Sequence, residues 1–289
     1  SEAPSTSDGG SVFVTGSSTV EPNSIKVGEF AGTAEGGNLK VTVEGPGTGD
    51  GFKKFCAGDS DITGASRAIK EEEATLCADA GIEYIELAVA IDGLTVATSP
   101  ANTAIECLDK AALYALVGPE SEGFSSWADA NAIAGELGSA FATLPDAPLS
   151  IYGPGEESGT YDSFVEFAFK SISEDRGTDM VSRADYTASP NDNVIVDGIE
   201  SADTSLGWVG YAYYKAEEAR MKAIAIADKE GACVLPTDET IADGSYPFSR
   251  TLYLYVNKAK AVENPAIAAY VDLYLSAQGG EQVSAAGYV

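Results

Sequence analysis

Short apolar runs alternate with glycine-rich and polar segments along most of the chain. Runs of about four to eight residues in which apolar positions alternate or follow one another predict β-strands, and apolar residues spaced three and four apart predict helices. The predicted strands cover residues 11–15, 39–44, 61–65, 84–91, 94–98, 149–152, 205–211 and 251–256. The predicted helices cover residues 52–56, 70–80, 108–117, 128–137, 161–172, 212–221 and 265–276.

The order of these elements predicts an α/β fold built from two units. Strands that alternate with helices are typical of a largely parallel sheet, and 289 residues is the length of two domains of ordinary size. The expected ranges are 11–91 with 246–289 for the first unit and 92–245 for the second. The chain is expected to cross between the units near residues 92–100 and 245–250, where Asp92-Gly93 interrupts an apolar run.

The first ten residues, SEAPSTSDGG, are small and polar. This composition predicts a flexible tether (residues 1–10) left after a targeting signal was removed, although a remnant of an expression vector would have the same character. No apolar run reaches the roughly 18 residues that a membrane helix needs. The tether therefore predicts a periplasmic or otherwise extracytoplasmic protein, with a lipid anchor ahead of Ser1 as one option.

The charge and the composition exclude several functions. The chain has 45 acidic and 17 basic residues, a formal net charge of −28, so it is expected to repel DNA and RNA. It contains no histidine, which removes histidine general bases, Ser-His-Asp triads and histidine-ligated zinc. A hydrophobic fraction of 44% nevertheless predicts a folded globular protein.

The four cysteines are Cys56, Cys77, Cys107 and Cys233, and none of them forms a C-x-x-C motif. An even number at wide spacing fits two disulfides in an oxidising compartment, while four buried free thiols in a cytosolic protein are the alternative. Four cysteines allow three pairings. We favour Cys56–Cys77 with Cys107–Cys233, because a short, local pairing suits the first two.

Three loops rich in glycine, serine and threonine each follow a predicted strand, and each is expected to lead into a helix. They are Gly16-Ser17-Ser18-Thr19, the glycine-rich segment 45–51, and Ser158-Gly159-Thr160. At such a junction, backbone N–H groups and hydroxyls point at one spot where the helix dipole favours negative charge. One such loop alone is usually only a helix cap. Three in one chain predict a site for a small oxyanion held mainly by neutral donors.

Arg67 is the basic residue whose sequence context best suits an oxyanion. It follows the strand predicted at 61–65, near the helix start after segment 45–51, and a guanidinium presents a fork of N–H donors. The other arginines are interpreted as surface residues paired with carboxylates: Arg176, Arg183, Arg220 and Arg250.

The phosphate-binding P-loop motif, the full G-x-G-x-x-G fingerprint and the G-x-S-x-G nucleophile elbow are absent from the sequence.

The loops belong to a longer series of motifs. TGSSTVEP, EGPGTGDGFKKFCAGDSDITGASRAI, DGLTV, GPGEESGTYDSF and GWVGYAYY follow in this order. In that order they resemble periplasmic phosphate-binding proteins, the high-affinity substrate-binding subunits of phosphate ABC transporters. The resemblance covers residues 11–289 and implies a two-lobe periplasmic binding protein fold (type II-like), with a two-segment hinge and a ligand cleft between the lobes.

The resemblance also implies site residues. The first anion loop falls on Ser17, Ser18 and Thr19, the second on Thr48 and Gly49, and the third on Ser158, Gly159 and Thr160. Many relatives have an arginine just before the third loop, where this chain has residues 152–155, so the charge is expected at Arg67 instead. Arg67 stands where many relatives have an aspartate that accepts the phosphate proton. Asp50, Glu156 and Asp162 are candidates for that acceptor.

The function implied is high-affinity binding of inorganic phosphate and its delivery to an ABC transporter permease. The protein is expected to be a monomer without catalytic activity, cofactor, metal or nucleic-acid partner. One alternative is a receptor for another tetrahedral oxyanion, such as sulfate, molybdate or tungstate. A phosphatase-like hydrolase acting through Ser18 or Ser158 is a weaker one, because no histidine exists and no lysine adjoins either loop. A structural or adhesion protein leaves the three loops unexplained.

Overall fold

The computed structural model describes residues 9–156 and 158–289. They fall into two compact units: the first comprises the chain up to Asp92 together with Arg250–Val289, and the second is Gly93–Ser249. The tether expected at residues 1–10 lies outside the described residues except for Gly9 and Gly10, and so does the lipid anchor expected ahead of Ser1.

The strands lie near their predicted positions, with several short additions. They are β1 (Ser11–Gly16), β2 (Lys40–Val43), β3 (Ile62–Ala65), β4 (Tyr84–Thr98), β5 (Cys107–Leu108), β6 (Ser150–Gly153), β7 (Thr187–Ala188), β8 (Ser205–Gly210), β9 (Lys222–Ala223), β10 (Ala225–Ala227), β11 (Cys233–Val234) and β12 (Ser249–Asn257).

The helices follow the strands in most places. They are α1 (Glu21–Ala31), α2 (Thr48–Cys56), α3 (Glu71–Asp79), α4 (Lys110–Val117), α5 (Asn131–Glu136), α6 (Gly159–Arg176), α7 (Asp192–Ser201), α8 (Tyr211–Ala216), α9 (Asp238–Ala242), α10 (Lys258–Glu263), α11 (Pro265–Tyr274) and α12 (Ala277–Ala285). Two 3-10 turns cover Pro119–Ser121 and Trp127–Ala130.

The first unit contains a mixed sheet in the order β2-β1-β3-β12. β1 runs parallel to β2 and to β3, whereas β12 runs antiparallel to β3. One core is formed by inward residues of the sheet and by helices α1 and α11, including Val14, Val27, Ile267 and Tyr270. Each fully buried side chain of this size contributes about 1.5–3 kcal/mol. The predicted α/β architecture with a largely parallel sheet is confirmed here, with one antiparallel strand added.

In the second unit, neighbouring strands follow in the order β4-β8-β6-β7. β6 runs parallel to β7 and β8, and β8 runs antiparallel to β4. Behind β8, the ring of Phe164 from α6 stacks on Trp208 with centroids 4.2 Å apart. This stack fixes the start of α6, which follows the serine-glycine-threonine loop, against the sheet.

Each unit carries one disulfide. Cys56–Cys77 joins α2 to α3 in the first unit, and Cys107–Cys233 joins β5 to β11 in the second. The pairing favoured from the sequence is therefore confirmed, and the alternative of four free thiols is wrong. Because Cys56–Cys77 closes the end of α2, it also steadies the helix that begins at the second anion loop.

Three expectations about elements are wrong. Asp92-Gly93 does not end a strand, because β4 runs unbroken from Tyr84 to Thr98 with Asp92 buried in it. The helix expected at 128–137 divides into a 3-10 turn and α5. The helix expected at 212–221 ends at Ala216.

Candidate anion-binding site

The first anion loop follows β1 and is tied back to β3. Gly16 has a φ of 130°, which favours glycine, and the next residue donates its backbone N–H to the carbonyl oxygen of Gly64 at 2.9 Å. Within the loop, the Ser17 hydroxyl accepts the Thr19 N–H at 3.1 Å. Ser17 and Thr19 are buried, whereas Ser18 is exposed. The loop is thus held rigid while one hydroxyl faces solvent.

The second anion loop starts α2 beside the first. Gly47 has a φ of 106° and donates its N–H to the carbonyl oxygen of Gly16 at 2.9 Å. Because Gly47 is the N-cap and has no side chain, α2 begins at Thr48 without a side-chain cap. Gly49 is half-buried, and a Cβ added to it would have no atom within 4 Å. The N-terminus of α2 therefore opens onto free space next to the first loop.

Ser66, just after β3, joins this group. The Thr48 hydroxyl lies 3.2 Å from the Ser66 hydroxyl and accepts the Ser66 N–H at 3.3 Å. The described residues of the first unit therefore bring together the five loop residues predicted for it: Ser17, Ser18, Thr19, Thr48 and Gly49. Serine and threonine hydroxyls beside two helix N-termini are suited to a small anion.

Arg67, Glu73 and Lys70 form a group that we name the Arg67 corner. The guanidinium is bonded twice to the Glu73 carboxylate, with Nη1–Oε2 and Nη2–Oε1 both 2.8 Å. Oε2 of Glu73 also accepts the Lys70 N–H at 3.0 Å, at the start of α3. Burial alone would raise the pKa of Glu73, but the bonds from Arg67 and Lys70 lower it below its ordinary value. The guanidinium predicted to bind an oxyanion is thus occupied by a carboxylate of its own unit.

Arg250, Asp92 and Thr19 form a second group, which we name the Arg250 corner. Nε of Arg250 donates to Oδ2 of Asp92 at 3.1 Å, and Nη2 donates to Oγ1 of Thr19 at 3.1 Å. The side chains of Arg250 and Asp92 are only 13% and 9% exposed. The interpretation of Arg250 as a surface arginine is therefore wrong, because this side chain is largely buried and touches the first anion loop.

The third anion loop lies in the second unit, between β6 and α6. Ser158 is the N-cap of α6, and its hydroxyl accepts the Thr160 N–H at 3.2 Å. The Ser158 N–H in turn donates to the carbonyl oxygen of Gly155 at 3.0 Å. Ser158, Gly159 and Thr160 are all half-buried. The predicted strand–loop–helix arrangement is present, at the N-terminus of an 18-residue helix.

The three arginines of the second unit are bonded to carboxylates, as the sequence predicts. Arg176 pairs with Glu120 and Glu136, Arg183 with Asp185, and Arg220 with Asp197 and Glu200. Arg183 departs from that interpretation in one respect, because its side chain is only 4% exposed and is therefore not on the surface.

The three carboxylates considered as proton acceptors occupy exposed positions. Asp50, in the first turn of α2, pairs with Lys53 at 2.8 Å, and this hydrogen bond lowers the pKa of Asp50. Glu156 and Asp162 flank the third loop on either side.

Sequence reasoning missed Ser66, Asp92 and Arg250. Two of these residues carry a signal that is visible in the sequence. Asp92 is a charged residue within an apolar run, and Arg250 directly precedes the apolar strand TLYLYV. A charge at a position that the pattern assigns to a buried strand predicts a buried partner. What the pattern does not reveal is that the two charges pair with each other.

The described residues contain neither a membrane-spanning helix nor a cluster of metal-binding side chains. In residues 9–156 and 158–289, no helix combines the length and the hydropathy needed to cross a bilayer. Over the same residues, no group of three or more cysteine, aspartate or glutamate side chains is arranged to hold a metal ion.

Comparison with known proteins places the chain in a family. Residues 1–278 match the PBP superfamily domain. The chain is 38% identical to Protein SphX of Synechocystis, over 96% of this chain and 78% of that protein. It is 33% identical to the phosphate-binding protein PstS of Staphylococcus haemolyticus, over 95% of this chain and 79% of that protein.

A solved structure agrees with these relatives. The crystal structure of a possible phosphate binding protein from Planctomyces limnophilus matches with a TM-score of 0.86 and 40% identity, covering 98% of this chain and 93% of that one. The resemblance drawn from the motifs is thereby confirmed. The chain belongs to the PBP superfamily and, within it, to the family of PstS-like phosphate-binding proteins.

Proposed function

We propose that this protein binds inorganic phosphate outside the cytoplasm and delivers it to the permease of a phosphate ABC transporter. The observation that carries the proposal is the first unit's group of donors. Two strand–loop–helix junctions are bonded to each other there through Gly16 and Gly47, and they present the hydroxyls of Ser18 and Thr48 beside two helix N-termini. This arrangement suits a tetrahedral oxyanion.

The proposed donors to the bound ion are the loop residues that the resemblance implies. Those of the first unit are Ser17, Ser18, Thr19, Thr48 and Gly49, and those of the second are Ser158, Gly159 and Thr160. Arg67 is the arginine that the sequence predicts for the site, but its guanidinium is bonded to Glu73. The two units correspond to the two lobes of a binding protein whose hinge segments are near 92–100 and 245–250. Substitution of a donor in this set is then expected to weaken phosphate binding.

The net charge of −28 does not oppose this function. Charges beyond about 8–10 Å are screened at physiological salt, so the donors next to the anion decide its affinity. Selectivity against sulfate requires an acceptor for the phosphate proton, because a buried acceptor left unpaired by sulfate costs binding energy. Asp50, Glu156 and Asp162 are the candidates taken from the sequence, and a receptor for sulfate or another oxyanion is the alternative.

The protein acts by binding and release, without catalysis. Its family is one of substrate-binding proteins. The Ser158 hydroxyl accepts the Thr160 N–H as the cap of α6 and keeps its own proton to donate to the ion, whereas a nucleophilic serine needs a base that takes this proton. We further propose that the protein is a monomer and that a lipid anchor ahead of Ser1 holds it at the membrane.

Calorimetric titration tests the function. Protein stripped of ligand by unfolding and refolding is titrated with phosphate and then with sulfate. Stoichiometric phosphate binding without release of product supports the proposal. Preference for sulfate supports the alternative receptor, and absence of heat with both anions, on protein with a native circular dichroism spectrum, contradicts both.

A further inference from the structure

A largely buried ion pair meets the first anion loop at Thr19. Arg250, at the start of β12, is bonded through Nε to Asp92 of β4 and through Nη2 to the Thr19 hydroxyl, both at 3.1 Å. Asp92 is 6% exposed as a residue and Thr19 is 4% exposed. One guanidinium thus contacts the loop directly and is oriented by a carboxylate from a neighbouring part of the same unit.

The charge of this guanidinium complements the loop. The side chains of Ser17, Ser18 and Thr19 are neutral, and charge-assisted hydrogen bonds are roughly twice as strong as neutral ones. An oxyanion that accepts the Thr19 hydroxyl at about 2.7 Å lies within about 6 Å of Nη2 of Arg250. At that distance, and with little solvent exposure, the attraction is only weakly screened.

Thr19 also passes the influence of Arg250 to the ligand. Its Oγ1 accepts a hydrogen bond from a charged donor, and a hydroxyl that accepts such a bond becomes a stronger donor itself. The Thr19 N–H is bonded to the Ser17 hydroxyl, so the orientation of the threonine is fixed from two sides.

Arg67 lies in a different setting. Both of its Nη atoms are bonded to Glu73, at 2.8 Å each, and Glu73 also caps the first turn of α3. Its Cζ lies 5.9 Å from the centre of the Phe52 ring, which packs in the core that contains the Cys56–Cys77 disulfide. These contacts describe a residue that joins α3 to the end of β3.

We propose that Arg250, oriented by Asp92 and bonded to Thr19, supplies the positive charge that the bound oxyanion experiences, and that Arg67 forms a structural ion pair with Glu73. This inference rests on the proposed phosphate-binding function and deepens it. Asp92 acts as a positioning residue, because it holds the guanidinium and influences the ligand only through it.

Matched glutamine variants test the assignment. Arg250→Gln, Arg67→Gln and Arg176→Gln each remove one guanidinium, and Arg176 serves as the control because it pairs with Glu120 and Glu136 on the surface of the second unit. We expect Arg250→Gln to weaken phosphate binding by roughly 10- to 150-fold, because it removes both the charged donor to Thr19 and the positive charge about 6 Å from the ion. Arg67→Gln is expected to lose less than Arg250→Gln, and Arg176→Gln to stay within about threefold of the wild type.

A double variant separates ligand binding from damage to the fold. Arg250→Gln alone leaves the Asp92 charge without this partner, so Arg250→Gln with Asp92→Asn removes both charges together. If the guanidinium acts on the ligand, the double variant stays weak, by at least tenfold. Recovery of wild-type affinity in the double variant would instead assign the loss to the Asp92 charge and overturn the proposal.

Two further outcomes are decisive. A loss in Arg67→Gln equal to or larger than that in Arg250→Gln assigns the charge to Arg67 and overturns the inference, while phosphate binding itself stands. Wild-type protein that does not bind phosphate contradicts the proposed function, and is seen before any variant is compared. Circular dichroism and thermal unfolding of each variant confirm that a folded protein was titrated.

Discussion

The Arg67 corner and the Arg250 corner each pair an arginine with a carboxylate, but only the Arg250 corner is bonded to an anion loop. Arg67 is 35% exposed and is bonded by both Nη atoms to one carboxylate, that of Glu73. Arg250 is 13% exposed, is bonded to Asp92 through Nε, and reaches Thr19 with Nη2. One guanidinium closes a local pair, and the other connects a largely buried pair to the hydroxyl of Thr19 in the first anion loop.

The difference shows that closeness in sequence to an anion loop is a poor guide to which arginine lies against such a loop in the structure. Arg67 follows β3 and stands near the second anion loop in sequence, yet its fork matches a glutamate six residues onward. Arg250 is 231 residues from Thr19 and reaches it because β12 belongs to the same sheet as β1. The contact that matters for an anion is therefore made by the fold and not by the motif.

Loss of the carboxylate at the Arg250 corner has the largest expected effect. Breaking a buried ion pair costs about 3–5 kcal/mol, and we expect Asp92→Asn to lower the free energy of unfolding by about 3 kcal/mol, since Arg250 keeps its bond to Thr19. Glu73→Gln is expected to cost only about 1 kcal/mol, after allowance for the solvent exposure of Arg67.

Urea unfolding in phosphate-free buffer measures both variants. Leu76→Ala, an exposed position on α3, serves as the control for substitution at the surface. Equal losses in Asp92→Asn and Glu73→Gln would erase the distinction between the two corners.

Removing the hydrogen bond between Arg250 and the first anion loop is expected to have the second largest effect. Thr19→Val keeps the size and shape of the side chain but removes the hydroxyl that accepts from Arg250. We expect phosphate affinity to fall by roughly 10- to 150-fold, or about 1.5–3 kcal/mol, because both the direct donor and the charge behind it are weakened. Calorimetric titration gives the affinity, and Thr75→Val, on exposed α3, is the matched control. An unchanged affinity in Thr19→Val would disconnect the corner from the site.

The sequence predicts the architecture well because local patterns carry it. Residues 11–15 and 61–65 alternate or cluster apolar side chains, and both became strands of the first sheet. The sequence predicts helices that begin at residues 52 and 161, and in the structure these helices begin slightly earlier, at Thr48 and Gly159. Hydrophobic period and cap chemistry act over a few residues, so one sequence suffices to read them.

The charges of the candidate site are not readable in the same way. Whether Asp92 pairs with Arg250, and Glu73 with Arg67, depends on which strands become neighbours and how far each side chain reaches. The pattern of the sequence predicts a break in the strand at Asp92, although a buried, paired aspartate continues the strand. A pairing that spans more than 150 residues leaves no periodic trace in the sequence.

Lowering the pH is expected to change the stability of the Arg67–Glu73 pair by a smaller amount than the substitutions above. The pKa of Glu73 is lowered in the folded state relative to its ordinary value of 4.5, so its pair stabilises the protein above pH 4.5 and this stability is lost as the pH falls through the lower folded value. The difference in unfolding free energy between wild type and Glu73→Gln, about 1 kcal/mol at neutral pH, is therefore expected to shrink below pH 4.5. Urea unfolding at a series of pH values measures it, and a difference that grows in acid would reverse the assignment.

Raising the salt concentration is expected to have the smallest effect on stability, and the effect depends on how exposed each ion pair is. Raising the ionic strength from about 0.1 to 1 M shortens the screening length from about 10 to 3 Å. The more exposed Arg67–Glu73 pair is expected to lose a few tenths of a kcal/mol of its stabilisation, whereas the Arg250–Asp92 pair, with side chains 13% and 9% exposed, changes less. Urea unfolding of Glu73→Gln, Asp92→Asn and wild type in chloride at both ionic strengths gives the two differences directly. Equal salt sensitivity of the two pairs would mean that solvent reaches both alike. The charge of Arg250 at Thr19 would then be screened as strongly as that of Arg67, and low exposure would no longer distinguish the two arginines.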